Sequence, residues 1–130
     1  MPITSLYALP LVALYLFLSF RVIRQRRSER VEIGDGGDHE LLRRMRVHAN
    51  CAEYVPISLV LMGLAESVGT PALLLHAVGV TLVAGRFVHA YALSQSPHIL
   101  RLRVAGMVLT FTALATGAAA AALLSVQRLA

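Results

Sequence analysis

Residues Val104–Val126, VAGMVLTFTALATGAAAAALLSV, run for 23 positions without one charged side chain. At about 1.5 Å of rise per residue, a helix of that length crosses a hydrocarbon layer roughly 30 Å thick. No period-2 alternation marks it as a strand, and its alanine and leucine content is unfavourable for one. Three further apolar segments precede it, and the four spans are read at about residues 3–23, 41–68, 71–93 and 103–126. Thr70-Pro71 is a tight turn with proline at the start of the third helix. Ser94-Gln95-Ser96-Pro97 ends that helix and opens a short loop. The expected fold is an all-α integral membrane protein, one membrane domain over residues 1–130 built as a bundle of four transmembrane helices.

Composition agrees. Of the 130 residues 57% are hydrophobic and 15% charged, and the mean hydropathy is +0.68. A soluble domain is about a quarter charged, so a water-soluble globule is excluded. There is no lysine: all 12 basic residues are arginine, against 7 acidic ones, which gives a pI near 10.4. Such a pI admits nucleic-acid binding, but position decides otherwise. Arg21, Arg24, Arg26, Arg27, Arg30, Arg43, Arg44 and Arg46 lie in or beside the first connection, Arg101 and Arg103 in the third, and none in the second. By the positive-inside rule the first and third connections are cytoplasmic and both termini are not. No nucleic-acid motif accompanies the charge, so no nucleic-acid partner is expected. A cleavable signal peptide would carry its positive region before the apolar stretch, whereas here the arginines follow it. Glu32-Ile33-Gly34-Asp35-Gly36-Gly37-Asp38 is read as a mobile polar turn.

Charged groups inside a span call for a reason, because one near the bilayer centre costs at least ~2.5 kcal/mol. Arg46, Asn50 and Glu53 stand at one end of the second span, followed by Tyr54 and Pro56. At about 100° per residue the first three fall within an arc of about 60°, and Arg43 and Ile57 extend the stripe. It should face the bundle interior or a neighbouring subunit. Its members could also satisfy one another as a charge-assisted ladder. Arg86-Phe87-Val88-His89-Ala90-Tyr91, near the end of the third span, reaches the same depth in an antiparallel bundle. Phe87 and Tyr91 share one helix face, and Arg86 and His89 another. Both faces cannot line one cleft in a single subunit. Arg86 could pair with Glu53 or with a ligand carboxylate. Cys51 is read as a small buried hydrophobe, and Glu66 as a solvated outer carboxylate. The five histidines lack metal-ligand spacing, so no metal is expected. Gly106, Gly117 and Ala118–Ala122 suit close helix packing.

The string Arg46-Val47-His48-Ala49-Asn50-Cys51-Ala52-Glu53-Tyr54-Val55-Pro56 resembles the signature of the MAPEG family, the membrane-associated proteins in eicosanoid and glutathione metabolism. Arg86–Tyr91 is similar to the family's third-helix segment, and the likeness covers nearly the whole chain. The resemblance implies a homotrimer of four-helix subunits with glutathione, as co-substrate, bound between neighbours and open to the cytoplasmic side. Carried over by position, Arg46, Asn50, Glu53, Tyr54 and Tyr91 would contact glutathione, with Arg86 added on chemical grounds. Arg101 or Arg103 would stabilise the thiolate, since a nearby cation lowers a thiol pKa. Phe87 stands where some members have Tyr and removes a hydroxyl.

The leading expectation is a glutathione-dependent transferase or peroxidase acting on lipophilic small molecules dissolved in the bilayer. A non-catalytic membrane scaffold or lipid-binding protein is a second reading. A small proton-coupled transporter using Glu53 is a third, but it gives Arg46 and Asn50 no reason to share that stripe.

Overall fold

The computed structural model describes residues 1–129. Four helices follow one another: α1 Pro2–Glu29, α2 His39–Ser67, α3 Ala72–Ser94 and α4 Leu100–Leu129. All four are long and apolar enough to cross a membrane. They outrun the apolar stretches because the charged turns at the arginine-rich end stay helical: α1 continues through Arg26 and Arg27, and α2 starts before Arg43.

Helices α2 and α3 form the middle of the bundle. Each touches both α1 and α4, while α1 and α4 share no contact among the described residues. The buried positions explain this arrangement. α1 turns only Leu11, Leu14 and Leu18 inward, at i, i+3, i+7 spacing. α4 buries Gly106, Thr110, Ala113, Gly117 and Ala121, a stripe with no side chain larger than threonine. Small residues let backbones approach and gain van der Waals contact, which is what holds helices together when lipid is as apolar as the interface. α3 and α4 come close at Gly85 and Gly106. A Cβ on Gly85 would lie 2.9 Å from the Gly106 carbonyl oxygen, and one on Gly106 would lie 2.7 Å from His89 Cβ. Outward faces carry large apolar side chains such as Leu9, Phe20, Leu73 and Leu123.

One sequence expectation is corrected. Glu66, still partly exposed, is not a free carboxylate. Its oxygens accept from the backbone N–H groups of Ile3 (3.0 Å) and Thr4 (2.8 Å) and from the Thr4 hydroxyl (2.6 Å). The end of α2 thereby caps the start of α1, whose first N–H groups have no partner within the helix. The glycine-rich turn is bridged by hydrogen bonds at both of its ends. Arg26 Nη1 donates to the carbonyl oxygens of Glu32 and Gly34. Asp38 accepts from the N–H groups of Glu40 and Leu41 as the cap of α2 and from the side chain of Gln25 at 2.7 Å. These bonds, chiefly the one from Gln25, hold the Asp38 carboxyl below the usual aspartate range.

Candidate functional site

The second-span stripe does not form a ladder. Asn50 is half-buried, and its Oδ1 accepts from Arg86 Nη2 across the α2–α3 interface. Arg46 and Glu53 are exposed on the outer face of α2, and neither makes an ion pair or side-chain hydrogen bond among the described residues. The ion pairs that do form, Arg43–Glu40 and Arg44–Glu40, lie one turn further along at the arginine-rich end. Spacing alone suggested mutual satisfaction, but the amide turns inward to the buried guanidinium of Arg86.

Arg86 is the largest fully buried side chain, with no exposed surface. Its partner is not Glu53. Besides Asn50, Nη1 reaches Thr110 Oγ1 at 3.3 Å and Met107 Sδ at 3.7 Å. The guanidinium carbon stands 5.6 Å from the centre of the Tyr54 ring, and Nε is enclosed without a partner. The Thr110 hydroxyl donates to Gly106 O at 2.7 Å, which leaves a lone pair for the arginine. A hydrogen bond to a charged group contributes about 1.5–3 kcal/mol and a cation over a ring about 0.5–2 kcal/mol. Together these offset an insertion cost of about 2.5–3.5 kcal/mol for arginine at mid-helix. The cation is therefore tolerable inside the bundle without a carboxylate. Tyr54, half-buried, is wedged between Arg86 and Phe111, with ring centres of the two aromatics 5.6 Å apart.

The third-span segment divides as its helical spacing requires. Arg86 and His89 are buried, whereas Phe87 and Tyr91 are exposed. Phe87 and Tyr91 line a groove of about 530 Å³ between α1 and α3, whose walls include Phe17, Leu18, Arg21, Ser94 and Gln95. No α2 residue borders this groove, so Tyr91 does not share a cleft with Arg46 and Glu53 within one subunit. His89 Nδ1 lies 3.1 Å from the carbonyl oxygen of Arg103. The carbonyl can only accept, so the ring nitrogen donates, and the first turn of α4 is pinned to α3. Arg103 is half-buried with its Nε enclosed, and Arg101 is exposed.

Two participants escaped the sequence reading. Thr110 is one of several hydroxyls in an apolar run, and nothing in its spacing marked it as the acceptor for an arginine 24 residues away. Arg21 counted only toward topology, yet it donates to Ser94 at 2.8 Å and stands 5.9 Å from the Phe17 ring centre, at the polar end of the groove. Of the minor candidates, Cys51 is fully buried as read. His48 joins α1 and α2 through the Ser19 hydroxyl at 2.9 Å and packs beside Tyr15.

Comparison with known proteins bears on the box that carries these residues. A sequence model of the MAPEG family matches residues 4–123, nearly the whole chain. The chain belongs to the MAPEG family. It is also similar to inner membrane protein YecN of Escherichia coli strain K12, with 39% identity over 112 residues that cover 86% of this chain and 84% of YecN. The YecN protein of Escherichia coli O6:H1 strain CFT073 matches to the same extent. This MAPEG protein is thus an integral, multi-pass membrane protein with four spans.

Proposed function

We propose that this MAPEG protein is a glutathione-dependent transferase, conjugating the glutathione thiolate to lipophilic electrophiles that partition into the bilayer, and that it works as a homotrimer. The observation that carries the reading is the pair Arg46 and Glu53. Both are exposed on a membrane-spanning helix, on one face, and unpaired among the described residues. Seven residues separate them, about 10 Å along the axis. A lone cation and a lone anion are both unfavourable against lipid. A zwitterionic peptide bound under a neighbouring subunit relieves both, its carboxylate at Arg46 and its ammonium at Glu53. Arginine suits the first task because its planar fork matches a carboxylate bidentately. A neighbouring subunit also fits the separation of Tyr91 from the α2 face, because the groove of Phe87 and Tyr91 needs a second copy to meet that face.

In this reading Arg101 or Arg103, at the start of α4, faces the sulfur. A positive charge favours thiolate over thiol and raises the nucleophilic fraction at neutral pH. The thiolate attacks the electrophilic carbon, a sulfur–carbon bond forms, and the leaving group departs with its electron pair. The arginine-bearing ends lie on the cytoplasmic side, where glutathione is abundant and the positive-inside rule puts them.

The test is turnover of a chlorodinitrobenzene by detergent-purified protein with millimolar glutathione. Arg46→Ala and Glu53→Gln are expected to lose activity while the oligomer, read by light scattering, persists. Activity unchanged in both variants would sink the reading. Glutathione binding without turnover in the wild type would favour the non-catalytic scaffold.

A further inference from the structure

Among the described residues, one amide side chain links the buried cation to the surface of the subunit. Of the groups that touch Arg86, Thr110 is fully buried, Met107 is an apolar thioether, and Tyr54 offers the face of its ring. Asn50 is the residue of α2 that hydrogen-bonds the guanidinium, and it bridges from there to the outer face of the helix. The orientation of its amide is not ambiguous. Arginine carries donors and no acceptor, so the amide atom turned toward Arg86 is the oxygen. The NH2 group therefore points the other way. It makes no hydrogen bond among the described residues, and it is not among the enclosed, unpartnered polar atoms. It is free at the boundary of the α2 face, one turn from Arg46 and less than one turn from Glu53.

We infer that Arg86 is a positioning residue: it locks the Asn50 amide so that its NH2 is presented as a donor to an anionic acceptor of the ligand on the α2 face. Arg86 cannot touch the ligand itself, since none of its surface is accessible. Its effect passes through the amide in two ways. The first is geometric, because a free asparagine amide rotates between two nearly equivalent orientations, one of which would present oxygen to an anion. The second is electronic, because a cation on the carbonyl oxygen withdraws electrons and strengthens the N–H donors at the other end of the amide. A side chain of similar volume and no charge would fill the same space without desolvating a guanidinium. The arginine thus makes sense as the fixed end of a relay.

On this account the outer face of α2 reads as cation, neutral donor, anion from Arg46 to Glu53. Arg46 and Asn50 together take an anionic group, and Glu53 takes the ammonium. The inference rests on the proposed function for the identity of the ligand, and glutathione is the probe.

The decisive variant is Asn50→Asp. Aspartate keeps an oxygen against Arg86, now as an ion pair, so folding should survive. At the other fork it offers oxygen where NH2 stood. Glutathione affinity, followed by equilibrium dialysis, is expected to fall at least about tenfold, the scale of one lost hydrogen bond to a charged group, with the melting temperature equal or higher. Arg86→Met is expected to weaken binding comparably, although residue 86 touches no ligand, and Arg86→Lys should restore most of that loss by returning a donor to the Asn50 oxygen. The nitrogen-15 side-chain amide signals of Asn50 supply a reading that a purely structural role would not move: they should shift on addition of glutathione to the wild type and to Arg86→Lys, and stay in place on its addition to Arg86→Met. Wild-type binding together with Asn50→Asp binding within about twofold would overturn this inference alone. A wild type that binds no glutathione would overturn the proposed function and take this inference with it.

Discussion

The crossing of α3 over α4 makes a sharp prediction, because two glycines that look alike in sequence sit in different surroundings. In Gly85→Ala the new methyl would lie 2.9 Å from the Gly106 oxygen, 2.9 Å from Leu109 Cβ and 3.0 Å from the Thr110 nitrogen. Ordinary contact begins near 3.4 Å, and two of the three atoms are backbone, so the helices must part by about half an ångström. Overpacking of this kind costs about 1–3 kcal/mol. The same movement stretches the Arg86–Thr110 hydrogen bond, already 3.3 Å long, and leaves a buried guanidinium short of an acceptor. The two effects are coupled, and the expected loss is about 2–4 kcal/mol. For a chain of this size that is roughly 5–15 °C in melting temperature. Gly117→Ala is the control, since its methyl would meet nothing closer than 3.8 Å. Cys51, the single cysteine and fully buried, makes the assay simple: a dye that fluoresces on reaction with a thiol reports unfolding of detergent-purified protein. Equal melting temperatures for the two alanine variants would refute the packing argument.

Glu66→Gln should loosen the start of α1, where the carboxylate accepts three hydrogen bonds; the expected cost is about 1 kcal/mol, and faster amide exchange at Ile3 and Thr4 would report it, while unchanged exchange would dismiss the cap. Asp38 should make the α1–α2 connection pH-sensitive. Its folded pKa lies below the unfolded one, so its contribution is complete above the ordinary aspartate pKa and is lost as pH falls through the depressed value. Protection of the Glu40 and Leu41 amides, measured against their intrinsic exchange rates, should therefore fall only in acid, and Asp38→Asn should retain the cap and abolish that pH dependence.

The fold was legible because lipid leaves a chain few options. An uncharged run such as Val104–Val126 must satisfy its own backbone as a helix, and arginine placement separates the connections. The division of Arg86 and His89 from Phe87 and Tyr91 was equally legible, since helical spacing puts them on opposite faces. What spacing could not supply was the partner across an interface. Arg46, Asn50 and Glu53 share a stripe, but whether Asn50 looks along its own helix or across to Arg86 depends on a contact between residues 36 positions apart. Glu66 misled for the same reason: its partners are the first N–H groups of the chain, more than 60 residues away. Thr110 and Arg21 acquired roles only once α4 and α1 were docked.

Glutathione binding at the α2 face is what the proposed activity requires first. The measurement is the ultraviolet difference absorbance of glutathione thiolate on titration into the wild-type protein in lipid nanodiscs, repeated with Glu53→Gln. A saturable thiolate signal at millimolar glutathione or below, lost in the variant, is the predicted result. No signal and no binding in the wild type, or an undiminished signal in Glu53→Gln, would contradict it.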